Sequence, residues 1–422
     1  MKEVQRKIFL WLTCAIALMM PVYGRLLPLL IALQVLNWLA GAAYTRNFLL
    51  IFREKPRMIL ASFSLIYLFY LLGLAYTSNF RYAGEDLMIK LSLLLFPMIL
   101  ATSDFPLFRR NESWLILKFF SAGCVVGSLV LLERALYHTL VLGKSGAFYY
   151  TALSWNFHSG YYSMYLVFAF SNILWFLLIR KSVEGTFRIA FHVLILVLFT
   201  LMVVLLSSKS GLLIWLVTVC FYAFLLVFRY KKIWGGILFL GASLVLFTVF
   251  LALFPMAVSR VDDAREDVMS ADFQKNEDQS ISIRLQIWRS SWKIIRNHFL
   301  TGVGTGDVKD ALMEQYRKHH LNIVFGQQLN AHNQFIQTFL TLGILGPLIL
   351  AAMFILPALR SFRKEVWIYL VFLVITGISM LFESMLETQA GVVFYAFFNT
   401  FLFAMSHADP AGDAFKITGG EG

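Results

Sequence analysis

The chain has 422 residues, of which 59% are hydrophobic and only 14% charged. A soluble globular domain of this length rarely offers water so little polar surface, so the composition selects a membrane protein. The formal net charge of +12 does not mark a nucleic-acid binder, because the positive residues sit in short clusters between apolar runs, which is the signal of membrane topology.

The N-terminal stretch MKEVQRKIFLWLTCAIALMM passes from charged to apolar like a signal peptide. It lacks a clear small-residue cleavage site and leads into more apolar chain, so it reads as a retained first span. A span needs about 20 mainly apolar residues. On that basis about twelve segments appear, near 8–23, 26–44, 58–76, 87–101, 114–136, 161–179, 189–206, 211–228, 233–254, 334–358, 366–383 and 392–406. The predicted fold class is therefore all-α and polytopic. The fourth segment is short and carries Pro97, which predicts a kink or a partly re-entrant path. Cys14, Cys124 and Cys220 each fall inside an apolar run, without C-x-x-C or Cys/His spacing for zinc, and read as buried small hydrophobes.

Alternate connections carry the positive charge: Lys2, Arg6 and Lys7; Arg46, Arg53, Lys55 and Arg57; Arg109 and Arg110; Arg180, Lys181 and Arg188; Arg229, Lys231 and Lys232; Arg360, Arg363 and Lys364. The positive-inside rule puts these connections and both termini in the cytoplasm. The others face outward. The largest runs over 255–332, and a second, moderately long one lies near 137–160. The hydropathy of the two halves does not mirror, and the large loop has no counterpart, which argues against a transporter built from repeats.

Within the large loop, RVDDAREDVMSADFQKNEDQS is polar and reads as a loop or loosely held helix. ISIRLQIWRSSWKIIRNHF places Ile283, Ile287, Trp288, Ile294 and Ile295 near a helical period, with Arg284, Trp288 and Ser291 on one face. TGVGTG resembles a phosphate-cradling turn, but no strand or Walker lysine accompanies it, so it reads as a flexible hinge. DVKDALMEQYRKHH predicts a helix beginning at Asp307. The loop is thus expected to be a folded, helical lid.

Three groups on the outward side are candidates for chemistry. Lys209, in LLSSKSGLL, occupies a link too short to leave the membrane surface. It either snorkels as an interfacial anchor or faces a polar cavity, and Ser207, Ser208 and Ser210 make the turn suited to an anion. Arg284 has the planar fork that grips phosphate oxygens, unless it is a solvated loop charge. His332 stands at the start of the tenth predicted span, where the helix N-terminus favours a neutral imidazole able to accept a proton. Asn333, Gln337 and Thr341 continue from it as a polar stripe expected to face the bundle interior or a wet cavity. Glu383 and Glu387, near the outer end of the eleventh predicted span, either orient the histidine or arginine or pair with them as ions. His158, in the second outward connection, is a candidate lining of the acceptor path. No acidic cluster suggests a metal.

In order and sidedness, SSKSG opening a span, IRLQIW and GVGTG in a large outward loop, and HNQFIQTFLTLGILG resemble the O-antigen ligase/polymerase superfamily of polytopic glycosyltransferases. The resemblance covers roughly the C-terminal half, from Leu205 onward. It implies transfer of a glycan from an undecaprenyl diphosphate carrier to an acceptor on the periplasmic face of the bacterial inner membrane, without a metal or other cofactor. It also implies that His332 is catalytic and that Arg284 and Lys209 hold the diphosphate. The family's first motif usually presents arginine; Lys209 keeps the charge but loses the fork. The acceptor is lipid A–core for a ligase, the growing glycan for a polymerase, or a protein for an oligosaccharyltransferase. Overall similarity favours the ligase. A lipid-linked glycan transporter is the reading from a different class, disfavoured by the lack of repeats. The expected organisation is a transmembrane bundle over 1–206, a catalytic region over 207–406 that includes the periplasmic loop 255–332, and a cytoplasmic tail over 407–422.

Overall fold

The computed structural model describes residues 3–104, 110–144, 146–179, 185–254 and 280–406, and every regular element among them is helical. The polar stretch over 260–279, the basic residues Lys2, Arg109, Arg180 and Lys181, and the tail over 407–422 lie outside the described residues. Among those described, seven helices are long and apolar enough to cross a membrane, or eight if the pair 55–62 and 65–76, bent by 43°, is one span. Three further apolar helices, Ser92–Thr102, Trp367–Phe382 and Gln389–Met405, are shorter. The protein is therefore a multi-pass helical membrane protein with fewer full-length crossings than the apolar runs suggest. One of the remaining runs is the bent pair, and the others are helices of 11, 16 or 17 residues.

Numbering helices of eight residues or more, α1 (Glu3–Met19) and α2 (Leu27–Gly41) open the chain. They are followed by α3 (Lys55–Ser62), α4 (Leu65–Leu72), α5 (Phe80–Lys90), α6 (Ser92–Thr102) and the long α7 (Arg110–Leu140). Pro97 lies inside α6, as the sequence suggested. Helices α1 and α7 pack closely through Gly123 and Gly127. A Cβ at these glycines would come within 2.3 Å of the Leu18 carbonyl oxygen and 2.6 Å of the Pro21 oxygen. The small-xxx-small spacing allows that approach in a medium where apolar burial gives helices little reason to associate.

Helix α8 (Ser159–Leu174) is buried along its whole length among α7, α9 (Thr186–Leu206), α10 (Lys209–Phe224) and α16 (Trp367–Phe382). Helix α17 (Gln389–Met405) is buried beside α6 almost as completely. Rings join these elements: Phe398 lies 4.8 Å from Phe120 and 4.9 Å from Phe168, centroid to centroid. By contrast α11 (Ile233–Leu253), more apolar still, fully buries only Gly236; half-buried side chains such as Phe247, stacked on Trp215 at 4.7 Å, hold it to the bundle and much of the rest is exposed. Cys14 and Cys124 are buried as expected, but Cys220 is exposed on the outer face of α10.

Ion pairs join three pairs of the connections predicted to share a side. Arg6 grips Glu112 with 2.7 and 2.8 Å bonds, Arg46 meets Asp104 at 2.7 Å, and Arg229 meets Glu365 at 2.5 Å. At the other end the large loop folds as a lid of α12 (Ser280–Asn297), α13 (Val308–Lys318, with Asp307 at its N-cap) and α14 (Gln334–Leu342). Its own apolar core includes Ile287, Ile294, Leu312, Tyr316 and Leu340.

Two expectations for this region need correction. The predicted tenth span, 334–358, is broken at Gly343, whose φ of 63° and ψ of −155° end α14; the membrane helix is α15 (Leu345–Arg363). The break places α14 between the lid core, which takes Leu340, and the bundle core, which takes Leu342. TGVGTG is a tie and not a hinge. Val303 and Gly304 donate backbone hydrogen bonds to Leu340 and Thr341, Thr305 Oγ1 donates to the Tyr70 carbonyl at 2.6 Å, and Gly306 N donates to Thr77 Oγ1 at 2.9 Å. Glycine is needed there for space: a Cβ on Gly302 would lie 2.4 Å from the Thr341 oxygen, and one on Gly306 2.1 Å from that of Asn79. Asp307 completes the tie by accepting from the backbone N–H groups of Ser78 and Asn79 at 2.8 Å each.

Candidate functional site

Between the lid and the bundle lies a polar cavity of about 280 Å³ that gathers Lys209, Arg284, His332, Glu383 and His158 from five separate stretches of chain. Its bundle side is made by helix starts. Ser207 adopts a left-handed conformation (φ 47°) that ends α9, and Ser208 caps α10 by accepting from Gly211 N. Lys209 is thereby fixed in the first turn of a 16-residue helix, half-buried at the cavity. His158 caps α8 in the same way, its Nδ1 accepting from Gly160 N at 3.3 Å. Two helix N-termini therefore face one space, each contributing partial positive charge and unsatisfied N–H groups. Ser159, at the start of α8, is 1% exposed, lines the cavity, and has a hydroxyl with no hydrogen-bond partner among the described residues. That combination is the ordinary design of an anion site.

The lid supplies the other wall. Arg284, on the first turns of α12, donates from Nη2 to Glu383 Oε1 at 3.0 Å. His332 Nδ1 lies 3.1 Å from Glu383 Oε2. Because a carboxylate only accepts, this pairing puts the imidazole proton on Nδ1 and leaves Nε2 as the acceptor. His332 itself is held at φ 45°, with its N–H donating to Asn330 Oδ1 at 3.0 Å. Glu383 joins the two groups. Burial pushes its carboxyl up, but the hydrogen bond and charge of His332, with the charges of His158 and Arg284, outweigh this and hold it below its ordinary value.

The polar stripe serves the site from behind. Asn333 caps α14 by accepting from Ile336 N at 3.1 Å and donates to the Leu381 carbonyl at 3.0 Å; Gln337 Oε1 accepts from Ala331 N at 3.1 Å. Both are buried and neither lines the cavity, so they fix the backbone on which His332 sits. Trp288 Nε1 donates to the Ala331 carbonyl at 2.9 Å and anchors α12 to the same segment.

Glu387 is not part of this cluster. It accepts from Lys90 at 2.7 Å and from Gln334 at 3.3 Å, and Lys90 also pairs with Asp86, in a buried network beneath the 383–388 link. The sequence reading missed Lys90 and Asp86, although a lysine inside a predicted span was itself a signal. It also missed Ser159, Tyr150 and Gln327, which line the cavity. Among the described residues no group of three His, Cys, Asp or Glu side chains is arranged to hold a metal ion.

Residues 194–351 match the family described as O-antigen ligase. The match covers less than half of the chain and supports its resemblance to the O-antigen ligase/polymerase superfamily. No curated protein matches it. The matched region contains Lys209, Arg284 and His332; His158, Glu383 and the Lys90 network lie outside it. That match supports a membrane enzyme of the glycosyltransferase type, concerned with lipid-linked glycans in polysaccharide biosynthesis. The cavity spans the matched region and the rest of the bundle, since the carboxylate that meets both Arg284 and His332 comes from the end of α16.

Proposed function

We propose that the protein transfers a glycan from an undecaprenyl diphosphate carrier to an acceptor hydroxyl on the periplasmic face of the inner membrane, most specifically as an O-antigen ligase acting on lipid A–core. The observation that carries this reading is the single cavity holding Lys209, Arg284 and a His332–Glu383 pair. Lys209, Arg284 and the starts of α8 and α10 meet the diphosphate and stabilise the charge that develops as it leaves, a role preorganised cations perform without a metal. The acceptor oxygen attacks the anomeric carbon from the side opposite the diphosphate. The new C–O bond forms as the C–O bond to phosphate breaks, the electron pair departs with the diphosphate, and the configuration inverts. The hydroxyl proton passes to His332 Nε2, while Glu383 stabilises the imidazolium that results.

The test uses purified protein in detergent with a lipid-diphosphate-linked glycan and lipid A–core. His332→Ala should keep its fold and lose transfer by roughly 10²–10⁴-fold, the usual contribution of a positioned base. Full transfer by that variant removes His332 from the mechanism. Transfer in detergent, where there are no compartments, separates an enzyme from a transporter. In cells lacking the gene, loss of all attached polymer indicates ligation, whereas core bearing one repeat unit indicates polymerisation.

A further inference from the structure

The short segment Trp155–His158 separates the polar cavity from a second one. His158 lines the first; Trp155, Asn156 and Phe157 line the second, together with Tyr23, Arg25 and Gln389. The second cavity measures about 200 Å³, the liquid volume of roughly seven waters, which is the scale of a sugar ring and not of a polymer. The side chains of Arg25, Asn156 and Gln389 are exposed, and none is engaged with another described residue.

Trp155 is 55% exposed, an unusual position for so large an apolar side chain. It is also held in place. The Arg134 guanidinium lies 5.0 Å over the indole and donates to the Ala152 carbonyl at 2.9 Å. The backbone of Trp155 sits at φ 52° and ψ −96°, a conformation that a bulky residue keeps only where its surroundings impose it. Phe157 packs against Tyr162 and Tyr165 at 5.2 and 6.4 Å, which stiffens the partition.

A fixed, exposed indole beside two carboxamides is the chemistry that receives a sugar. The C–H face of the ring lies on the aromatic surface, and hydroxyls, which both donate and accept, meet Asn156 and Gln389, which do the same. Arg25 adds a fork for a phosphate or carboxylate. Val130, which lines the cavity, and its chain neighbour Leu129 expose apolar side chains where acyl chains can lie, as does Leu26 between the lining residues Arg25 and Leu27. Resting on the transfer reading above, we infer that this second cavity is the acceptor subsite and holds a sugar of an anionic glycolipid beside the catalytic pocket.

The experiment measures binding of lipid A–core, free of polymer, to the full-length purified protein without donor. Trp155→Ala and Arg25→Ala should each weaken binding at least fivefold, while Trp155→Phe keeps most of it and His332→Ala binds normally. In transfer assays the first two variants should raise the acceptor KM and leave the donor KM and the saturated kcat unchanged. Arg25 is exposed and outside any strained turn, so its variant guards against a folding defect at Trp155. Absence of saturable binding by the unaltered protein, or unchanged affinity in both alanine variants, overturns the assignment. Failure of the transfer reading looks different: His332→Ala then transfers at full rate, while the glycolipid affinities keep their ratios.

Discussion

Glu383→Gln tests the central geometry most sharply. The carboxylate gives one oxygen to Arg284 at 3.0 Å and the other to His332 at 3.1 Å, and its side chain is 12% exposed. Glutamine keeps the shape but offers only one accepting oxygen, so its NH₂ must face one of the two donors. If the oxygen stays with Arg284, the NH₂ forces Nδ1 of His332 to accept, and the proton moves to Nε2, where it blocks proton uptake from the acceptor. A hydrogen bond to a charged group contributes about 1.5–3 kcal/mol, so losing one in the transition state lowers kcat about 10- to 150-fold. The acceptor KM should hardly move. The pH dependence has a definite sign. Folding holds the Glu383 carboxyl below its ordinary value of 4.5, so the pair stabilises the protein fully above that pH, and the contribution disappears as pH falls through the lowered value. The unaltered protein should therefore show a fall in unfolding temperature below pH 4.5 that Glu383→Gln lacks. Steady-state transfer rates and thermal unfolding in detergent measure both effects. A folded variant with the unaltered kcat and the same acid dependence would refute the claim that Glu383 aligns the histidine.

Three other expectations follow from the same geometry. Lys90→Met leaves the buried Asp86 and Glu387 carboxylates without their cation and should cost about 3–5 kcal/mol of stability; an unchanged unfolding temperature would make that network irrelevant. Gly302→Ala, at φ 69° with the Thr341 oxygen 2.4 Å from the new Cβ, should destabilise more than Gly143→Ala, where φ is also positive but nothing lies within 4 Å; equal melting temperatures would show that the TGVGTG tie contributes little. Arg284→Lys keeps the charge and loses the fork, and should slow transfer roughly tenfold for one hydrogen bond lost, whereas Lys209→Arg should retain activity; the reverse pattern in transfer assays would exchange their roles.

Much of this protein was legible along the chain because lipid imposes simple rules. Apolar length marked the helices, and the clustering of Lys and Arg sorted the connections that ion pairs such as Arg6–Glu112 bring together. The motif order around Lys209, Arg284 and His332 pointed to a shared site, because each group lies at the same end of a predicted segment. Helix-start chemistry was local as well: Ser208, which caps α10, was visible as a residue type in place.

What the sequence could not assign depended on which surfaces meet. Both α8 and α11 read as continuous apolar runs, yet one is the buried centre of the bundle and the other fully buries only Gly236. Hydrophobicity in a membrane does not distinguish protein from lipid as a neighbour. Glu383 and Glu387 are equally acidic and four residues apart, but the turn between α16 and α17 sends the first to His332 and the second to Lys90. The predicted span over 334–358 likewise gave no sign of its break at Gly343, where α14 stops with Leu340 packed in the lid core. Sequence determined the groups available for chemistry and the side of the membrane they share. Tertiary structure decided which carboxylate aligns the histidine, because that depends on a few ångströms of backbone path between elements far apart in the chain.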